Sequence, residues 1–170
     1  MKNIVLIGMP GTGKSTVGKA LAERFGYEFV DADDLIVQTT GKTLPEILRQ
    51  DGLEAFYKIE NKVGTDLNRT HTVIATGGSM VLYPEAMAHL KEGSTVIWLQ
   101  TPFSQLEKRM PVDQYDRGIA VPAGTPLREI YEERCVLYAR YADLIVVSQD
   151  GESDTARLVE DVMRTVGLET

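Results

Sequence analysis

The nine residues Gly8 to Thr16, reading GMPGTGKST, constrain this chain more than any other stretch. Gly8, Gly13, Lys14 and Ser15 fall at the spacing of a phosphate loop: two glycines, a lysine and a hydroxyl residue. Glycines let successive backbone N–H groups turn inward on one point, which a Cβ would obstruct. In such a loop the lysine reaches the outer phosphates of a nucleotide and the hydroxyl ligates Mg²⁺. The flanks agree with this reading. Asn3 to Ile7 contains the apolar run IVLI of a buried strand. Ser15 to Phe25 reads as a helix, with Val17, Leu21 and Phe25 on one face and Gly26 stopping it. Its positive end lies at the same spot, so Gly11, Thr12, Gly13, Lys14, Ser15 and Thr16 are expected to hold nucleotide phosphates.

Size and charge narrow the setting. A chain of 170 residues implies one domain, or one domain with a mobile insert. The single cysteine, Cys135, forbids an intramolecular disulfide and fits a reducing, cytoplasmic compartment. No apolar run approaches the ~18 residues of a membrane span, and the first one ends in the phosphate loop rather than a cleavage site. The net charge of −7 argues against a nucleic-acid surface. It also means that an anionic ligand must be held by individual Lys and Arg side chains. His71 and His89 form no metal cluster.

Short apolar runs alternate with amphipathic stretches, the pattern of an α/β fold with a mostly parallel sheet. Tyr27 to Asp31 is a strand ending in the acids of VDADD, and a helix around Asp34 to Thr39 closes at Gly41. Thr43 and Glu46 form a capping box for a helix to about Gln50, and a longer helix spans Leu53 to Leu67. Strands follow at Thr72 to Thr76 and Thr95 to Leu99, with a helix from Pro84 to Leu90 between them and another at Phe103 to Met110. Met110 to Thr125 breaks the rhythm with Pro111, Gly118, Pro122 and Gly124, and reads as a lid carrying Arg117. Thr125 is expected to cap the next helix, with Pro126 at its first position. Arg134 falls inside that helix's apolar stripe, so its guanidinium must snorkel outward or meet an anion. Leu144 to Val147 is a fifth strand, and Ser153 caps a final helix.

The second acidic site separates phosphate-loop classes. Neither TVIAT nor TVIWL ends in the acid that motor-type ATPases need, and Asn61-Lys62-Val63-Gly64 lacks the aspartate of the GTPase base-reading sequence. Only the second strand ends in carboxylates. Asp31 and Asp33 alternate, so they share a side if the strand continues. One is placed to hold Mg²⁺ through water and the other to take a proton from an alcohol; helix capping by Asp33 or Asp34 is the competing reading.

In order, GxxxxGKST, FVDADDLI, Thr-Gly-Lys-Thr, FYKIE, Gly77-Gly78, an arginine-bearing loop and EERCVLYARYAD resemble the shikimate kinases over nearly the whole chain. The resemblance implies a three-layer phosphate-loop kinase fold with a five-stranded parallel sheet in the order 2-3-1-4-5. It implies a core of residues 1–31, 71–110 and 125–170, a substrate subdomain at about 32–60 and a mobile lid at about 111–124. It assigns Asp33 and Arg134 to the acceptor, with Gly77 and Gly78 beside them. It assigns Arg117 and Arg109 to ATP, with Lys14, Asp33 and Arg117 as the catalytic set and Ser15 with Asp31 on the metal.

The departures lie mostly on the acceptor side. The family's Phe-Arg reads Phe56-Tyr57, its glycine triplet ends in Ser79, and its lid Arg-Pro-Leu reads Arg117-Gly118-Ile119. Tyr57 and Ser79 are therefore expected to contact the acceptor with hydroxyls. The implied activity is Mg²⁺- and ATP-dependent transfer of the γ-phosphoryl group to a small molecule's hydroxyl, with shikimate the first choice. The partners are ATP and a small anionic or hydroxylated acceptor, with no nucleic acid or membrane, in a monomer. A kinase of the same fold acting on another hydroxy acid, polyol or nucleotide, and a non-catalytic ATP-binding relative, are the alternatives.

Overall fold

The computed structural model describes residues 2–109, 119–148 and 155–167. Strand β1 (Asn3–Ile7) leads through the phosphate loop into α1 (Lys14–Phe25); β2 (Glu28–Asp31) is followed by α2 (Ala32–Thr40), α3 (Leu44–Gln50) and α4 (Leu53–Asp66). After β3 (Thr72–Ala75) come a single 3-10 turn (Met80–Leu82), α5 (Pro84–Lys91), β4 (Ser94–Gln100) and α6 (Phe103–Arg109). Helix α7 (Leu127–Tyr141), strand β5 (Leu144–Val147) and helix α8 (Thr155–Gly167) complete the described elements. The five strands are parallel, in the order β2-β3-β1-β4-β5. That is the sheet the resemblance implies.

Both faces of the inner strands β1, β3 and β4 are covered, which is why they read as unbroken apolar runs, whereas Ile145 and Val147 of the edge strand β5 are exposed. Along β1, Val5 and Ile7 enter one core while Ile4 and Leu6 enter the other. β4 repeats the alternation, with Val96 and Trp98 against Ile97 and Leu99. One core is closed by Val17 and Leu21 of α1 and by Leu158 and Val162 of α8. The opposite core takes Met87 of α5 and Ile130 and Tyr138 of α7. A third, smaller cluster lies under α2, α3 and α4, where Ile36, Ile47, Leu48 and Phe56 enclose Ala120.

Several expected boundaries are corrected. β2 ends at Asp31 as expected, but α2 begins at Ala32 rather than near Asp34, and its cap is Asp31 rather than Asp33 or Asp34: the Asp31 side chain accepts from the N–H groups of Asp33 (2.8 Å) and Asp34 (3.4 Å). Asp33 therefore sits on the first turn of a helix and not on a continued strand. Pro126, not Thr125, is the N-cap of α7, and the Thr125 hydroxyl donates to the Pro122 carbonyl at 2.6 Å. Thr43 does cap α3, accepting from Glu46 N at 3.3 Å. Most of the expected lid, including Arg117, lies outside the described residues, as does the expected cap Ser153. The described residues Ile119, Ala120 and Val121 of that stretch are buried.

Gly8 fixes where the phosphate loop leaves the sheet. Its φ of 149° lies in the region open to glycine, and a Cβ there would stand 2.6 Å from the Leu99 carbonyl oxygen. Backbone cannot yield as a side-chain tip can. Gly8→Ala should therefore cost roughly 2–3 kcal/mol, or about 5–10 °C of melting midpoint for a chain of this size. Thermal melts followed by circular dichroism check this, and an unchanged midpoint would contradict it.

Candidate active site

At the carboxyl ends of β1, β2 and β3 the loops converge on a cavity of about 310 Å³. Ligands of open α/β sheets bind at this position, where the strand order reverses. Gly11, Gly13, Lys14, Ser15 and Thr16 line one side. Asp33, Phe56, Glu60, Gly77, Gly78, Ser79 and Arg134 line the other. The loop glycines Gly11 and Gly13 hold φ of 83° and 90°, the left-handed conformation that turns consecutive amides inward.

Lys14 is buried, and its ammonium donates to the Gly8 and Met9 carbonyls at 2.7 and 2.9 Å. Burial lowers its pKa to about 8, against the pull of Asp33 and Asp31. The Ser15 hydroxyl donates to Asp31 Oδ2. Asp31 thus spends one oxygen on the α2 cap and offers the other beside Ser15. These are hard oxygen donors next to a phosphate site, a set that suits Mg²⁺, which takes few protein ligands and keeps water and phosphate oxygens. Asp33 has its pKa raised to about 6, by burial first and by Asp31 second.

Arg134 is 3% exposed, so it does not snorkel. Its Nη2 donates to the Ala120 carbonyl at 2.9 Å, and Nη1 lies 3.3 Å from where a Cβ of Gly78 would sit. Tyr138, one turn further along α7, donates to the Gly78 carbonyl at 2.7 Å and so holds that glycine against the helix.

Not every expected residue faces the cavity. The Tyr57 hydroxyl donates to Ala120 O at 2.9 Å, and its ring meets Tyr83 edge-on at 5.8 Å, so it stands behind the lining. Thr12 is buried without lining the cavity, and its hydroxyl has no hydrogen-bond partner among the described residues. Arg109 donates to the Gly11 carbonyl at 3.1 Å, which sets it at the outer edge of the phosphate loop.

Sequence reasoning missed Glu60. It is 1% exposed and accepts from Ser79 Oγ and from Tyr83 OH, the latter at 2.8 Å. A signal was available: Phe56, Glu60 and Gly64 recur every fourth residue on the buried face of α4. A carboxylate in an apolar stripe carries the same message as Arg134 in its own.

Comparison with known proteins agrees with this geometry. The family model for shikimate kinase matches residues 10–166. The chain belongs to the shikimate kinase family. A shikimate kinase of Synechococcus elongatus is 39% identical over 163 residues, covering 93% of this chain and 85% of that protein. The structure of the Acinetobacter baumannii shikimate kinase in complex with shikimate superposes with a TM-score of 0.85 at 28% identity, covering 100% of this chain and 95% of that one. The Aquifex aeolicus shikimate kinase gives a TM-score of 0.81 at 31% identity, covering 97% and 96%. A Sinorhizobium meliloti gluconokinase, at 21% identity and a TM-score of 0.53, shares the fold alone.

Burial, outweighing the two hydroxyl donors, raises the pKa of Glu60 from 4.5 to about 7. Between these values the folded chain keeps a proton that the unfolded chain has lost. Glu60 thus lowers stability as pH rises through that window, by up to about 3 kcal/mol above it. Glu60→Gln, which cannot ionise, should raise the melting midpoint at pH 8 and give no gain near pH 4.5. Melts at the two pH values check this, and an equal effect at both would contradict it.

Proposed function

We propose that this chain transfers the γ-phosphoryl group of ATP to the 3-hydroxyl of shikimate, with Mg²⁺. Membership of the shikimate kinase family supports this reading. The observation that carries it is the convergence of the phosphate loop, a buried acid and a buried guanidinium on one cavity. Phosphoryl transfer asks little covalent chemistry of a protein; positioning and charge stabilisation supply most of the rate.

In this reading the loop amides of Gly11 to Thr16 cradle the phosphates and Lys14 leaves its carbonyl partners for their outer oxygens. Mg²⁺, when bound, would neutralise charge between the outer phosphates, with Ser15 and Asp31, through water, as its holders. Asp33 orients the acceptor hydroxyl and takes its proton as the bond to phosphorus forms. Arg134 pairs with the acceptor carboxylate, which accounts for a cation on an apolar stripe. Gly77 and Gly78 border the acceptor, and Gly77 lets the two cavity acids close on its backbone: a Cβ there would stand 2.6 Å from Glu60 Oε2 and 2.7 Å from Asp33 Oδ1. Arg109 lies against the adenine, and Arg117 closes over the phosphates from a lid at about 111–124. Residues 32–60 form the acceptor subdomain. The protein works as a cytoplasmic monomer on small molecules; among the described residues no helix is long and apolar enough to cross a membrane.

Titration of shikimate against ADP release tests the reading directly, and saturable, shikimate-dependent release is the expected result. Asp33→Asn should lower turnover by about a hundred- to ten-thousand-fold and leave ATP affinity, measured by calorimetry, unchanged. Brisk turnover in that variant would reduce Asp33 to a structural acid. Lys14→Ala should lower turnover about a hundred-fold or more, through loss of one preorganised charge, and near-normal rates would refute its role.

A further inference from the structure

A second cavity, of about 360 Å³, opens between α2 and α4, and among the described residues it shares no lining residue with the active-site cavity. Its walls are Leu35 of α2 and Ile59 and Val63 of α4, apolar side chains left only partly buried where the two helices pack. The charged residues of its described lining are Lys62, Asp66 and Arg69: two cations to one acid, in a chain whose net charge is −7. Lys62 pairs with Asp66 at 2.9 Å and Arg69 with Glu28 at 3.7 Å, and all four side chains are exposed. Exposed pairs of this kind contribute little, so their cations turn to a better-placed anion at small cost. An apolar hollow with a few polar groups on its rim is the common form of a small-molecule site. The helices that wall it are also those that carry the active-site acids. Asp33 stands two residues before Leu35 on α2, and Glu60 directly follows Ile59 on α4.

We propose that this cavity is a regulatory site for a small aromatic carboxylate. A flat apolar body lies between Leu35, Ile59 and Val63, and its carboxylate takes Lys62 and Arg69; a guanidinium fork matches a carboxylate with two parallel hydrogen bonds. A neutral ring would leave the two cations unused, and a polyphosphate would leave the apolar walls uncovered. An occupant wedged here sets the spacing of α2 and α4, and with it the separation of Asp33 from Glu60. Its presence is therefore felt in the KM for the acceptor and not in the KM for ATP, whose phosphate loop belongs to neither helix. The effect on the acceptor rests on the shikimate kinase reading; the binding does not.

Calorimetry on the full chain with 2-naphthoate, and with the uncharged 2-naphthamide as its control, tests the site. Naphthoate should bind with a Kd below about 1 mM, and the amide at least about tenfold more weakly. Replacing both rim cations, Lys62→Gln with Arg69→Gln, changes two exposed side chains outside the catalytic machinery. That double variant should keep wild-type turnover and bind the two compounds alike. Saturating naphthoate should raise the KM for shikimate about fivefold or more and leave the KM for ATP unchanged. Linkage then requires saturating shikimate to weaken naphthoate severalfold without abolishing its binding. No heat with naphthoate, equal binding of the amide, an unaltered preference in the double variant, displacement by ATP or an unchanged KM for shikimate would overturn the inference while the kinase reading stands. Absence of shikimate-dependent ADP release from the wild-type chain would overturn the kinase reading and the regulatory effect with it, and the heats of naphthoate and its amide would still decide whether the site exists.

Discussion

Lys14 is an ammonium held inside the protein by two backbone carbonyls, and the surroundings of the cavity are set by that fact. A buried cation is tolerated only where charge and hydrogen bonds compensate it. Asp33, Asp31 and Glu60 favour its charged form, while Arg134 and burial oppose it. The cavity is therefore a balance of two cations against several acids, each of which would be costly alone.

The backbone geometry serves the same end. β1 delivers the loop, Gly8 lets it pass the Leu99 carbonyl, and α1 begins at Lys14 with Gly13 as its N-cap. β2 ends at Asp31, and that side chain both caps α2 and meets Ser15. One carboxylate thereby fixes the start of a helix and the acidic side of the phosphate site. Asp33 owes its place to this cap, since it rides on the first turn that Asp31 anchors.

The fold was legible because the features that specify it are local. A buried parallel strand is an apolar run, and a helix end is marked by Gly26 or Gly41 in left-handed backbone. The phosphate loop was legible for the same reason, since its chemistry occupies consecutive residues. The acceptor side was less so. Tyr57 reads as a cavity residue by position, yet its hydroxyl goes to Ala120, sixty-three residues away, and no local pattern reports that bond. Glu60 comes from α4 and Ser79 and Tyr83 from the two ends of the 3-10 turn, and they meet only once α4 packs against that turn. The cap of α7 failed for a smaller reason: Pro126 took the N-cap position itself, and the Thr125 hydroxyl turned back to Pro122.

The Ala120 carbonyl receives hydrogen from Tyr57 on α4 and from Arg134 on α7 at once. A carbonyl oxygen has two lone pairs, so each donor has its own seat. Were Arg134 to pair with an anion, as proposed, the buried oxygen it leaves would still be satisfied by the phenol, and no orphaned acceptor would oppose the exchange. The tyrosine, a reserve partner for the backbone where the family places a second cation, would thereby make the guanidinium lendable.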